Sequence, residues 1–348
     1  MRPVYFVVPD GIDDPARPSG GNTYDRHLRR ELGPHGWTVH ERGVGGFWDR
    51  PDAASFAALE ATLRRIPDDA VVLLDGLIAS TAPEVLVPQA SRLRLIVLVH
   101  MPLGHRPRDD AARGREGAVL SSAIATVTTS EWTRRRLLEL YGLPADGVRV
   151  AEPGVEAAEP ARGTAAGEAL LCVGAVSFGK GHDILLEALA SISALSWRCT
   201  CVGSVDRDPA FVEGLGRRRP AERVSFPGSQ TGADLDRSYA SADLLVLASR
   251  AETYGLVVTE ALARGLPVVA AEVGGVAEAL GEGAAGTRPG LLVAPEDPAA
   301  LAEALGAWLG DAELRARLRR AAAERRESLP PWSATAAVVA GVLAEASP

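Results

Sequence analysis

The stretch DLLVLASRAETYGLVVTE, residues 243–260, decides how the rest of the chain is read. Residues 244–248 form a continuous apolar run, the pattern of a strand buried on both faces of a parallel sheet. Polar residues follow, and Leu256, Val257, Ala261 and Leu262 then recur at helical spacing. Gly255 therefore falls at or near a helix start, just past the C-terminal end of a strand. Ligands of open α/β sheets bind at such ends, and the free N–H groups and positive dipole of the helix attract phosphate. Two carboxylates bracket the place, Glu252 in the loop and Glu260 about two turns into the helix. At ~1.5 Å rise per residue, the helical part of that interval covers roughly 8–9 Å. A ligand with a diphosphate at the helix start can offer a sugar hydroxyl to one acid and a ribose hydroxyl to the other. One surface acid and one capping acid would give the same spacing.

Upstream, Ala169–Val173 reads as a strand, followed by a Gly-rich loop from Gly174 to Gly181 and a helix over 184–189. The loop carries Lys180, the single lysine among 37 basic residues. A chain that writes arginine almost everywhere and keeps one lysine points to a place where a compact ammonium is needed. A diphosphate counter-ion fits that place. The single asparagine, Asn22, lies in a second glycine-bearing segment, Pro18 to Asn22, after a first strand over 4–8. Gly20 and Gly21 there allow close backbone approach to a ligand, or make an ordinary turn. Asn22 can add a side-chain hydrogen bond or cap the following helix.

A chain of 348 residues suggests two domains, each with its own core. The net charge of −8 argues against a nucleic-acid protein. Cys172, Cys199 and Cys201 are odd in number and lie in apolar strand-like runs. They read as buried small hydrophobes of a cytosolic protein, not as disulfides or zinc ligands. No stretch approaches the ~20 apolar residues of a membrane span, and a chain opening directly on a strand leaves no signal peptide. A cytoplasmic protein is expected. In the first half, strands over 38–41, 70–74, 95–99 and 124–128 alternate with helices over 53–66 and Glu131–Tyr141, the pattern of a parallel doubly wound sheet. His100 ends one of these strands, as a ligand contact or as a histidine hydrogen-bonded at a strand end. Residues 104–117 read as a long loop beside it. Arg134, Arg135 and Arg136 read as a solvated helix face or as an acceptor or lipid-headgroup patch. In the second half, strands over Arg198–Val202, Val224–Gly228, Val268–Ala271 and Gly290–Val293 continue a second sheet, and helices over 298–309, 312–326 and 332–346 follow.

Glu252-x7-Glu260 with Tyr254-Gly255-Leu256, preceded by the Gly-rich strand–helix unit, resembles the signature of the family-4 retaining glycosyltransferases (glycosyl transferases group 1). The resemblance covers nearly the whole chain, most closely residues 169–295. It implies an α/β chain of two Rossmann-like doubly wound parallel-sheet domains facing each other across a cleft, the GT-B fold. Residues 1–151 would form an acceptor domain, 152–168 a linker and 169–331 a nucleotide-sugar donor domain, with the helix over 332–346 crossing back onto the first. The activity implied is metal-independent, retaining transfer of a hexose from a UDP- or GDP-sugar to a hydroxyl of a small-molecule or glycan acceptor. No cofactor beyond the donor substrate is expected, and no Asp-x-Asp for a metal beside the diphosphate site. By the same resemblance His100, Lys180 and Glu252 are the catalytic set. Gly20, Gly21, Asn22, Arg250, Tyr254, Gly255, Leu256, Val257 and Glu260 would hold the donor, with Glu260 on the ribose. The family commonly has Gly-Arg-x-x-x-x-Lys-Gly in the second glycine loop, both basic residues gripping the diphosphate. Here Ala175 stands where that arginine would, so Arg250 or an arginine of the first domain takes over, or the grip is weaker. Two rivals remain: a membrane-surface transferase with a lipid acceptor, and a nucleotide-sugar binder without turnover.

Overall fold

The computed structural model describes residues 1–15, 18–105, 109–215, 222–284 and 286–348. The chain divides into two compact units, one of Met1–Gly154 with Pro330–Pro348 and one of Val155–Leu329.

The first unit holds a six-stranded parallel sheet: β1 (Arg2–Pro9), β2 (Trp37–Val44), β3 (Val71–Asp75), β4 (Arg94–Val99), β5 (Ala125–Thr128) and β6 (Val148–Val150), in the order β2-β1-β3-β4-β5-β6. Runs such as Val71–Asp75 are buried at every residue because helices cover both faces of such a sheet. The second unit holds β7 (Ala169–Val173), β8 (Arg198–Val202), β9 (Val224–Gly228), β10 (Leu244–Leu247), β11 (Val268–Ala271) and β12 (Gly290–Val293), all parallel, in the order β12-β11-β10-β7-β8-β9. Counted from β7 as the first, that is the dinucleotide-fold order 3-2-1-4-5-6. In each unit the strand order reverses at one point, between β1 and β3 and between β7 and β10. There the helices leave the sheet on opposite faces and a crevice opens at the strand exits.

Three local readings differ from the structure. Residues 104–117 are mostly helix, Asp110–Ser122, capped by Asp109, whose carboxylate accepts from the Ala112 amide at 2.9 Å. Its polar residues hide its period: Glu116 is fully buried. Residues 106–108 of the expected loop lie outside the described residues. Gly20, Gly21 and Asn22 form the first turn of the helix Gly20–Glu31, and the cap is Ser19, whose Oγ accepts from the Asn22 amide at 3.1 Å. Glu260 is the fifth residue of the helix Leu256–Leu262, so it sits little more than one turn inside. The strand β6 and the short helices Pro83–Gln89, Gly232–Ala240 and Val276–Leu280 carry too little periodicity to be read from the sequence.

Candidate active site

The β7–β10 reversal brings together the loops that follow those two strands. Gly174 follows β7 with φ +154°, and a Cβ there would lie 3.4 Å from Lys180 Cδ, so the lysine stem runs along its backbone. Gly181, at φ +65°, passes against the Ala248 carbonyl, where a Cβ would clash. These close approaches bring Lys180 to Glu252: its ammonium donates to the Glu252 carboxylate, which also accepts from Ser249 Oγ at 2.7 Å. The Glu252 side chain is 11% exposed and that of Lys180 32%. Glu252 is fixed in turn by its own carbonyl, which accepts from the Gly275 amide at 3.3 Å. Gly274 lies so close to that carbonyl that no side chain fits. Gly255, at φ +98°, is the residue before the helix Leu256–Leu262; Tyr254 is buried, and Leu256 and Val257 are half-buried.

Glu260 belongs to a different contact. It accepts from Tyr239 Oη at 2.7 Å, and burial raises its carboxyl above the usual glutamate range, with Tyr239 and Arg264 pulling the other way. Arg250 is engaged by the loop that carries Lys180 and by two acids. It makes two 2.9 Å hydrogen bonds to the Asp183 carboxylate, donates to the Phe178 carbonyl at 2.7 Å and to Glu296 at 3.0 Å, and stacks over the Phe178 ring at 3.9 Å. Burial alone would raise Asp183; Arg250 overrides it and holds the carboxyl below the usual range. The guanidinium thus braces the glycine loop. Its partner Asp183 was not readable as such from the sequence.

An Asp-x-Asp does follow β8, where none was expected near the diphosphate loop: Asp206 and Asp208. Asp208 accepts from the Phe178 amide at 3.4 Å and the Phe211 amide at 3.3 Å, pinning loop backbone. Among the described residues, two clusters have possible ligand atoms within 4.8 Å of one another, Cys172–His182–Cys201 and Asp25–Asp75–His100. The first is fully buried beneath the glycine loop, with His182 Nε2 3.8 Å from Cys172 Sγ. All three cysteines are buried and free.

In the first unit His100, just past β4, meets two acids. Its Nε2 lies 2.9 Å from Asp25 Oδ1 and 3.4 Å from Asp75 Oδ2. Asp25 comes from the helix after β1 and Asp75 from the end of β3, so this cluster marks the β1–β3 reversal. Burial pushes Asp25 up to about 7, against the pull of His100. Burial would lower His100, but Asp25 and Asp75 outweigh it and raise the imidazole to about 10. Neither acid was singled out in the sequence; the available signal was Asp25 one turn after Gly21 and Asp75 ending an apolar strand. Of the arginine trio, Arg134 donates to the Val148 and Ala145 carbonyls and Arg136 to His105 and Glu139. Among the described residues no helix is long and apolar enough to cross a membrane.

Comparison with known proteins agrees with this geometry. Residues 167–311 match the family model described as glycosyl transferases group 1. A D-inositol 3-phosphate glycosyltransferase of Nocardia farcinica is 33% identical over 255 residues, covering 68% of this chain and 55% of that protein. The Salinispora tropica protein of the same name is 31% identical over 301 residues, covering 75% and 59%. The chain thus spans a little over half the length of these curated relatives. Among solved structures, the sucrose-phosphate synthase of Thermosynechococcus elongatus superposes with a TM-score of 0.82 at 21% identity, over 99% of both chains. Anabaena HepE in complex with UDP-glucose superposes with a TM-score of 0.79 at 17% identity, over 99% of this chain and 100% of that one. These likenesses establish the fold as that of the GT-B glycosyltransferases. The β7–β10 reversal with its Lys180–Glu252 pair accordingly lies within a glycosyl transferases group 1 domain, the family to which residues 167–311 of this chain belong.

Proposed function

We propose that the protein transfers a hexose, with retention of configuration, from a nucleotide-diphosphate sugar to a hydroxyl-bearing acceptor. The observation that carries this is the pairing of Lys180 with Glu252 at the β7–β10 reversal of a 3-2-1-4-5-6 sheet. Doubly wound sheets bind nucleotides at that point. The chain holds there one compact cation suited to a diphosphate and one acid suited to sugar hydroxyls.

In the free protein the ammonium is held by Glu252. A diphosphate arriving at Lys180 competes for the same charge, and the exchange frees the Glu252 carboxylate for the sugar. Helix-end N–H groups at Gly255 and Leu256 add to Lys180 in stabilising the departing nucleoside diphosphate, an electrostatic form of catalysis. In this reading Glu260, once released from Tyr239, would take the ribose and His100 the hexose. Because acceptor and leaving group share one face of the sugar in this mechanism, no second carboxylate is needed as in glycosidases. Metal independence is part of the same reading, with Lys180 and the helix dipole supplying the positive charge.

The names of the relatives suggest the first substrates to try. HepE was solved with UDP-glucose, and the curated relatives act on D-inositol 3-phosphate by name. The test is transfer from UDP-, GDP-, ADP- and TDP-sugars to inositol phosphates and simple glycans, with and without EDTA. Product with the anomeric configuration of the donor, formed in EDTA, supports the reading. Nucleotide-sugar binding with neither transfer nor donor hydrolysis would make the protein a binder instead.

A further inference from the structure

The Asp25–His100–Asp75 cluster is more than a capped strand end. Two buried carboxylates, with side chains 1% and 7% exposed, converge on one ring nitrogen of a histidine whose side chain is 17% exposed. Asp25 Oδ2 is buried with no hydrogen-bond partner among the described residues. Burying acids this way is costly unless a charge answers them. Among the described residues the imidazole is the cation that does so, and the Leu77 amide donates to Asp75 Oδ1 at 2.7 Å. Gly21 makes the approach possible, since a Cβ there would lie 3.2 Å from His100 Cδ2. Tyr24 meets the ring edge-on at 5.2 Å, its own hydroxyl donating to the Ala151 carbonyl at 2.9 Å. The ring is therefore held by Gly20–Glu31 on one side and by β3 on the other. His100 Nδ1 makes no hydrogen bond among the described residues.

We propose that Asp25 and Asp75 are positioning residues: they fix the His100 ring through Nε2–H and keep it doubly protonated, so that Nδ1–H donates to a hydroxyl oxygen of the transferred sugar. This rests on the reading of His100 as a contact to the donor hexose. A histidine held by one carbonyl would keep its Nε2 proton but be free to lose the second near neutrality. Two carboxylates within hydrogen-bonding reach remove that freedom.

The test is a ¹⁵N NMR titration of the ring nitrogens, with His100→Gln used only to assign the signal among six histidines. The wild-type ring should remain doubly protonated through about pH 8, and in Asp25→Asn it should titrate lower by about one pH unit or more. Asp75→Asn, which removes the longer contact, gives the same comparison if Asp25→Asn does not fold. A wild-type ring that is neutral at pH 8, or variants that titrate with the wild type, would overturn the proposal. So would displacement of the ring signal by added Mn²⁺ or Zn²⁺, which would make the cluster a cation site. In the transfer assay, Asp25→Asn should lower kcat about tenfold or more with UDP affinity within about twofold. Unchanged kcat despite a shifted ring titration would also overturn it. A wild-type protein that transfers no sugar, with the ring titrating as expected, defeats the functional reading and leaves the charged clamp standing.

Discussion

Lys180 and Glu252 share one charge, and neither can be changed without reporting on the other. Lys180→Ala should remove most transfer activity, and Lys180→Arg should restore only a small part of it. The lysine stem lies along Gly174, so a planar guanidinium fixed in its fork would misdirect its donors. Turnover and UDP affinity of both variants decide this, and a wild-type-like Lys180→Arg would refute it. Glu252→Ala and Glu260→Ala should fail differently. On the proposed roles, the former would remove contacts to the reacting sugar and lower kcat; the latter would weaken donor binding, since a ribose contact is alike in ground and transition states. Equal losses in kcat with unchanged donor affinity would contradict the roles. The histidine cluster makes a pH prediction. His100 is raised from 6.5 to about 10, so its contribution to stability is full below about pH 6.5 and lost as pH rises toward 10. Asp25, raised from 3.8 to about 7, acts in the same direction over its own lower range. In both cases the folded state holds protons that the unfolded chain has released. Urea unfolding at pH 6.5 and 9.5 should show a loss of about 1–3 kcal/mol. A stability that does not fall between these two pH values would count against the raised imidazole.

At the scale of elements, the glycine-rich exits work because buried acids hold the loops around them. Glu116, fully buried on the helix Asp110–Ser122, accepts from the Leu103 amide at 3.0 Å, the Gly104 amide at 2.9 Å and Ser80 Oγ at 2.7 Å, and also from Tyr141 Oη. It thereby fixes the segment that leaves His100. Glu116→Ala strands several buried donors and should cost about 3–5 kcal/mol in urea unfolding. A cost under about 1 kcal/mol would mean that the loop is held otherwise. Asp243 is the corresponding buried acid of the second unit, at the opposite end of the strands from the glycine loops. Its carboxylate accepts from Thr164 Oγ1 at 2.7 Å and the Ala169 amide at 2.8 Å, tying residues before β7 to the foot of β10. These anchors explain which parts of the molecule were legible in the sequence. Strands such as Ala169–Val173 and Val268–Ala271 declare themselves because both faces are buried and the run is wholly apolar. Lys180 and Glu252 were legible because glycine, a lone cation and an acid cluster at strand exits. Glu116 and Asp25 were not, since an acid buried by tertiary contacts looks like a surface acid in a helix. Arg250 shows the converse: its place beside the glycine loop suggested phosphate, while Asp183 and Phe178 claim its guanidinium.

At the scale of the molecule, the chain returns to its first unit at the end. The helix Trp332–Glu345 packs on Gly20–Glu31, with Trp332 stacked on His27 at 4.3 Å and edge-on to Tyr24 at 5.4 Å. Thr335 Oγ1 donates to the Glu152 carbonyl at 2.7 Å, beside the point where the chain leaves that unit. Trp332→Ala should therefore destabilise the protein by about 3–5 kcal/mol, and it acts on the same helix that carries Gly21 and Asp25. The central claim concerns the other unit, that a nucleotide-sugar diphosphate binds at the β7–β10 reversal through Lys180. The direct measurement is thermal unfolding of wild type and Lys180→Ala against a panel of nucleotide sugars, beginning with UDP-glucose. Ligand at ~100 times its dissociation constant adds roughly 2.7 kcal/mol of stability to a protein that binds it only when folded. The account predicts a rise in Tm for wild type with at least one nucleotide sugar and little or none for Lys180→Ala at the same concentration. Equal stabilisation of both proteins would place the diphosphate elsewhere, and no stabilisation of wild type by any of the panel would contradict the claim outright.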